Sequence, residues 1–333
     1  MKIGIAGTRG SKPTPSGKSL FDEDIITHKY GGNTTCVYVE GNDGSIHIID
    51  AGTGIVGLGN SLIPRGFCGE GKTMHIYLSH THWDHIQGIP FLGPAYIPGN
   101  KIMIYGESKD TNFSESLSAA LNKNKEHTGT FPAMTSEDSD SGLREILETQ
   151  QSDVKYFPVK LDVLKGIKEY HGFFAGDVLQ TGDMKVETIG LNHLGGCVGY
   201  RFTETKDDGS KAVFVMATDH EPGEDAIDLR LAQFCAGADL LVIDTQYEPE
   251  GYESKINPFK KTWGHGDYVT ALKTATDAEV KRAIGTHHEP KCGDAYYDTL
   301  EKRATTYAQI VAGNRNKPVV DFEFAKEGTW YNL

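Results

Sequence analysis

Apolar and polar positions alternate in short blocks along nearly all of this chain. Runs rich in β-branched and aromatic residues occur at 36–39, 46–49, 74–79, 102–105, 186–192, 212–216, 240–243 and 282–286. Such runs are too short for a stable helix and have the composition of strands. Helical patterns alternate with them at 226–235, 265–277 and 295–311. Strands and helices mixed along the full length predict a layered α/β fold, with helices covering sheet faces. No internal repeat is evident. One block departs from the pattern: residues 122–153 are polar and acidic or amide-rich, although 143–148 predicts a short helix. The block reads as an insertion, either a mobile lid over a site or solvated decoration.

Composition narrows the class. The 333 residues suffice for a large buried core, and 38% hydrophobic with 24% charged residues is ordinary for a globular protein. No apolar run approaches the ~20 residues that cross a bilayer. Residues 1–7 enter a strand-like segment and a Gly-rich turn without the apolar stretch of a signal peptide, so a cytoplasmic protein is expected. The five cysteines, Cys36, Cys68, Cys197, Cys235 and Cys292, are odd in number and contain no C-x-x-C pair. That argues against a disulfide framework or a cysteine zinc knuckle. The net charge of -13, with only short basic clusters such as Lys260-Lys261 and Lys281-Arg282, disfavours long nucleic acid as a partner. The oligomeric state is open, a homodimer included.

The chemistry concentrates in His80-Thr81-His82-Trp83-Asp84-His85, directly after the strand-like run 74–79. Three imidazoles and a carboxylate this close together suit metal binding, and delivery from a strand end fixes their geometry. A two-metal hydrolase needs about seven ligands around cations ~3.5–4 Å apart. His80 and His82, two residues apart on an extended segment, project to the same side and can share one metal. Asp84 and His85 follow as the chain turns toward a helix and can serve a second. The remaining ligands belong at other strand ends, where His193, Asp219 and His287 each follow an apolar run. Singly, each of these has an ordinary structural reading as a hydrogen-bonded strand-end residue; together they form an ordered set.

That ordered set resembles the metallo-β-lactamase superfamily of metal-dependent hydrolases, over nearly the whole chain. Gly31-Gly32-Asn33-Thr34-Thr35-Cys36, His82-Trp83-Asp84-His85-Ile86-Gln87-Gly88, Tyr156-Phe157-Pro158-Val159 and Trp263-Gly264-His265 look like a branch akin to ribonuclease Z and the small phosphodiesterases. The resemblance implies a four-layer αβ/βα sandwich, a single domain over 1–333 with 122–153 as its insertion. It implies two divalent metal ions, most simply Zn2+, with Mn2+ or Fe2+ also suited to His/Asp sites. His80, His82 and His193 would hold the first; Asp84, His85 and His287 the second; Asp219 would bridge. His288 competes with its neighbour His287 for one role. Asp50, in Ile49-Asp50-Ala51-Gly52-Thr53-Gly54, would orient the ligand loop rather than bind metal. Asp84 would also aim a metal-bridging hydroxide, and His265 would assist the leaving group. Gly266 stands where the family usually has Ser, which puts a hydroxyl contact in doubt. His220, His288 and Arg9 are candidates to line the pocket, with His28 and Tyr247 on weaker grounds. His47, His75, His127 and His171 have no partner pattern and read as structural or surface residues.

The function expected from this set is hydrolysis of a small anionic phosphodiester, a cyclic nucleotide being one form. Competing expectations are a lactonase or β-lactamase, a ribonuclease Z type endonuclease, and a metal-bound sensor without turnover. Many zinc β-lactamases resemble a pattern with Cys at the position of Asp219. Members that process transfer RNA carry a long arm between the residues matching His193 and Asp219, and 194–218 leaves no room for one.

Overall fold

A computed structural model describes residues 1–18, 24–108, 142–151, 157–223, 227–252, 260 and 262–333. The strands are β1 (Lys2–Gly7), β2 (Cys36–Glu40), β3 (Ile46–Ile49), β4 (Thr73–Tyr77), β5 (Lys101–Glu107), β6 (Ile167–Phe173), β7 (Val178–Thr181), β8 (Met184–Leu191), β9 (Cys197–Thr205), β10 (Lys211–Ala217), β11 (Leu240–Asp244), β12 (Arg282–Thr286), β13 (Asp321–Phe324) and β14 (Trp330–Asn332). They form two seven-stranded sheets, β14-β1-β2-β3-β4-β5-β6 and β13-β12-β11-β10-β9-β8-β7. The helices include α1 (Gly54–Leu62), α2 (Trp83–Ile86), α3 (Leu143–Gln150), α4 (Leu229–Phe234), α5 (Pro249–Tyr252), α6 (Tyr268–Asp277) and α7 (Asp294–Arg315).

Three hydrophobic cores define the layers. One lies between the sheets and includes Ile3, Val37, Tyr77, Val186, Phe202, Phe214, Val242 and Ile284. A second packs Ile55 and Leu62 of α1 against Ile48, Ile76 and Ile104 of the first sheet. A third packs Leu272 of α6 and Leu300 of α7 against Val215, Leu241 and Ala283 of the second sheet. Helix, sheet, sheet, helix is the expected αβ/βα sandwich. Strands buried on both faces carry apolar side chains in both directions, which is why 240–243 reads as a continuous apolar run.

The parallel pairings β3–β4, β4–β5 and β5–β6 in one sheet, and β10–β11, β11–β12 and β12–β13 in the other, align the strand ends. Their C-terminal ends, together with that of β8, carry the polar residues singled out above. The block at 143–148 is helical, as α3; its neighbours in the polar insertion at 122–141 and 152–153 lie outside the described residues. The helix expected over 265–277 starts later, at Tyr268. Asp267 caps it by accepting from the Val269 and Thr270 amides, in a capping box with Thr270. His265 therefore stands in the preceding loop, and the missing hydroxyl at Gly266 costs the helix no cap. All five cysteines are free. Among the described residues no helix is long and apolar enough to cross a membrane.

Candidate metal centre

Asp50, one residue past β3, organises the loop that follows β4. It is fully buried. Its Oδ1 accepts from the Ser79 amide at 2.7 Å, and its Oδ2 accepts from Ser79 Oγ at 2.8 Å and from His85 Nδ1 at 2.8 Å. Ser79 Oγ, having donated to Asp50, can accept from His80 Nδ1 at 3.1 Å. One carboxylate thus fixes the tautomers of two histidines and turns both Nε2 atoms toward the site. The same device recurs on the other strands. His193 Nδ1 donates to the Gly264 carbonyl at 3.0 Å, and His287 Nδ1 donates to Gln246 Oε1 at 3.1 Å.

The bare nitrogens converge on Asp219. Its Oδ2 lies 3.6 Å from His80 Nε2 and 3.7 Å from His193 Nε2. Its Oδ1 lies 3.3 Å from both His85 Nε2 and His287 Nε2. His82 Nδ1 joins the first group, 3.1 Å from His193 Nε2. Asp84 joins the second: its Oδ2 is 3.2 Å from both His85 Nε2 and His287 Nε2, and accepts from the Ser11 amide at 2.7 Å. The ligand-type atoms of His80, His82 and His193 fall within 4.8 Å of one another, as do those of Asp84, His85 and His287.

This donor set fits divalent cations. His80 Nε2 is buried and has no hydrogen-bond partner, and two imidazole Nε2 atoms face each other at 3.4 Å across His85 and His287. An orphaned buried nitrogen such as His80 Nε2 is costly unless something electropositive lies beside it, and the other two nitrogens share carboxylate oxygens of Asp84 and Asp219 with which they could hold a cation. The electrostatics agree. Burial lowers the pKa of His85, but the carboxylates of Asp219, Asp84 and Asp50 outweigh it and hold the group well above an ordinary imidazole. The same opposition, led by Asp219 after burial, raises His287 to about 9. Burial favours the neutral acid in Asp84 and Asp219, yet the surrounding histidines keep both below the usual carboxylate range. His80, in contrast, is pushed well down by burial and by His85. The second group sits in a field that attracts positive charge; the first offers neutral imidazoles.

The backbone is strained to make this site. Asp50, Asp219 and His287 adopt left-handed φ values of 61°, 51° and 62°, each costing on the order of 1–3 kcal/mol for a side chain other than glycine. Each lies just past a parallel strand, where the chain must turn sharply to aim a side chain between the sheets.

His265 completes the group. It is buried, its ring stacks on His287 at 4.7 Å, and its centroid is 5.2 Å from that of His193. Its Nδ1 donates to Asp244 Oδ2 at 2.7 Å. Asp244, the last residue of β11, was not among the expected site residues, although it meets the criterion that selected Asp219: a carboxylate at the end of an apolar run. Glu221 is a second omission. Its two oxygens accept from the Thr262 and Gly264 amides, both at 3.0 Å, and so hold the loop that carries His265.

Three expected pocket residues lie elsewhere. Arg9 is fully buried, and its guanidinium donates to the carbonyls of Gly31, Glu289 and Cys292; it ties chain segments together and cannot reach a substrate. His288 points away from its neighbour His287. Its Nε2 donates to the Ala325 carbonyl at 2.8 Å, its ring packs 4.2 Å from Tyr297, and burial pushes its pKa down to about 3. Of the two adjacent histidines, His287 is the one that faces the cluster. His220 is buried behind the strand ends, where its Nδ1 accepts from the Asn192 amide at 3.2 Å. His28 is exposed and not part of the cluster. Tyr247 does approach, edge-on to His265 at 5.7 Å. His47, His75 and His171 sit in an aromatic stack on the first sheet; His127 lies outside the described residues.

Two mixed sheets face to face, with an imidazole–carboxylate cluster at their common strand ends, define a metallohydrolase sandwich. The chain belongs to the β-lactamase superfamily: the family described as "Beta-lactamase superfamily domain" matches residues 47–288. Members of this superfamily are metal-dependent hydrolases that bind divalent metals. Three solved structures share the fold. The metallo-β-lactamase fold protein YhfI from Bacillus subtilis is 16% identical, with a TM-score of 0.58 over 99% of this chain and 98% of its own. A diphosphatase from the PhnP family is 14% identical, with a TM-score of 0.52 over 100% and 97%. The short form of human tRNase Z is 15% identical, with a TM-score of 0.50 over 100% and 99%. No curated protein matches the chain.

Proposed function

We propose that this chain is a two-metal hydrolase of a small phosphodiester. The observation that carries the reading is the division of Asp219, whose two carboxylate oxygens face two separate sets of histidines. In this reading His80, His82 and His193 hold one cation, Asp84, His85 and His287 hold the other, and Asp219 bridges. Imidazole and carboxylate donors suit Zn2+, and also accept Mn2+ or Fe2+. When bound, two such cations supply Lewis acidity at phosphoryl oxygens and lower the pKa of water.

The residues of the chain then have distinct tasks. Asp84, held by the Ser11 amide, accepts a hydrogen bond from the attacking water and aims it. His265 presents Nε2 to the departing oxygen and holds the proton that oxygen needs. Asp244, by accepting from Nδ1–H, fixes the ring's orientation and stabilises the imidazolium form, whose second proton, on Nε2, is the one passed to the departing oxygen. Two fold neighbours are named for phosphoryl chemistry, a diphosphatase and a tRNase Z, which supports a phosphoester over a lactam. A transfer RNA substrate is less well supported. The chain from His193 to Asp219 is a hairpin of β9 and β10 with a short turn, and carries no arm.

The test is metal analysis combined with hydrolysis of bis-p-nitrophenyl phosphate, a lactone and a β-lactam. About two metals per chain and turnover of the phosphodiester are expected. Turnover of the lactone or lactam alone overturns the phosphodiester assignment, and two bound metals without turnover of any ester favour a binding protein.

A further inference from the structure

The cluster is closed on most sides. His80, Asp84, His85, Asp219, His265 and His287 are all buried, whereas His82 is exposed and His193 half-buried. The site therefore opens to solvent where His82 and His193 meet, and the third segment at that opening is the loop whose Gly264 carbonyl accepts from His193. Each of these three segments carries a large apolar side chain one residue from its point of contact. Trp83 follows His82 and is 76% exposed, Leu194 follows His193 and is 75% exposed, and Trp263 precedes Gly264 and is 57% exposed. Single exposed apolar residues are unremarkable on a protein surface. These three, however, stand on the three segments that meet at one opening.

Resting on the reading of the site as a phosphodiesterase, we propose that Trp83, Leu194 and Trp263 form the specificity rim of the site and receive a flat, apolar ester group of the substrate, an aryl or nucleobase-bearing one. The chemistry of the rim is complementary to that of the cluster below it. The imidazole–carboxylate cluster deals with the phosphoryl charge; the rim offers two indole faces and an aliphatic side chain, none of them charged. Indole faces bind planar rings by stacking and tolerate many substituents. A substrate that carries further phosphates gains nothing from such a rim and is repelled by a chain of net charge -13. The occupant is therefore a monoanionic diester with an aromatic arm, rather than a polyphosphate or a long polyanion.

The test compares two probes with the same anionic head, phenylphosphonate and methylphosphonate, titrated into the metal-loaded protein and followed by indole fluorescence and calorimetry. The phenyl compound is expected to bind about tenfold more tightly, the weight of one stacked ring. In a Trp83→Ala/Trp263→Ala double variant that preference falls to within about twofold, while Trp83→Phe retains most of it. Equal binding of the two probes to the unmodified protein overturns the proposal. So does a phenyl preference that survives the double variant, including the case in which the same substitutions split a dimer and so reveal the patch as a contact between copies. Hydrolysis of bis-p-nitrophenyl phosphate separates the two ideas: a rim-dependent phenyl preference without turnover of any phosphodiester keeps the rim and removes the phosphodiesterase reading.

Discussion

His265 donates its Nδ1 proton to Asp244 Oδ2 at 2.7 Å, in a pair that lies against the metal-binding cluster. Asp244 is otherwise fully engaged. Its Oδ1 accepts from the Gln246 amide at 2.9 Å, and its Oδ2 also accepts from the His220 amide at 3.3 Å. The carboxylate is thereby fixed at the end of β11 and fixes His265 in turn. A ring held this way keeps Nε2 turned to the site, where the imidazolium that Asp244 stabilises would donate its Nε2 proton to a leaving group.

Asp244→Asn keeps the size of the side chain but allows it to donate to His265 and favour the wrong tautomer. The expected result is a fall in kcat of at least ~100-fold with little change in KM, and with both metals retained. Steady-state kinetics with metal analysis of the same preparation check it. Loss of metal in this variant would place Asp244 among the ligands' supports rather than behind His265.

Asp84→Ala removes the one carboxylate oxygen that stands 3.2 Å from both His85 Nε2 and His287 Nε2. The two imidazoles then face each other with only Asp219 between them. Turnover is expected to drop at least ~100-fold and metal content to fall toward one per chain. Near-normal turnover would sink the two-metal assignment.

Much of this arrangement is legible in the sequence because parallel strands buried on both faces are read as apolar runs, and the site residues stand immediately after them. That rule finds His80 to His85, Asp219 and His287; His193 follows β8, which is antiparallel to both its neighbours, and only its place in the ordered set singles it out. Asp244 meets the same rule but has no imidazole beside it in sequence; its partner His265 lies on a different element and is brought to it only by the fold. Arg9 misleads for a related reason. A charged side chain in a Gly-rich turn reads as solvated, yet here the turn is covered and the guanidinium donates to the Gly31 carbonyl and to those of Glu289 and Cys292 in the loop after β12. His287 and His288 are equivalent in sequence; in the fold His287, at a left-handed φ, faces the cluster, while His288 turns to the Ala325 carbonyl.

Gly264 is required by geometry on two counts. Its φ of 85° lies in the left-handed region, and a Cβ there would come within 2.1 Å of His193 Nδ1. Gly264→Ala should therefore displace His193 from its bond to the 264 carbonyl and weaken the first metal group without touching the second. Metal titration is expected to show one tight site retained and one weakened by roughly tenfold or more, as for other losses of a ligand's support. Two undisturbed sites in this variant would mean that His193 is not held by Gly264.

Acid should destabilise the protein through histidines that have no part in the metal cluster. His47 is fully buried on β3, with Nδ1 3.2 Å from Tyr77 Oη, Nε2 3.0 Å from Ser45 Oγ and its ring stacked 5.2 Å from His75. Burial first, and His75 second, push its pKa from 6.5 down to about 3. The folded protein thus keeps this ring neutral, whereas the unfolded chain takes up a proton once the pH falls below 6.5. The stabilisation from the neutral ring is complete above that pH and is lost progressively as the pH falls toward about 3. His47→Gln removes the titrating group and leaves a side chain that can still hydrogen-bond. The variant is expected to be less stable at neutral pH, since its packing is disturbed. Its unfolding free energy should nevertheless fall less steeply with acid, by about 1 kcal/mol per pH unit between roughly pH 6 and pH 4. Urea unfolding at several pH values measures the two slopes, and because the metal cluster is the same in both proteins its own acid sensitivity cancels in the difference. Parallel slopes would show that His47 does not contribute to the acid response.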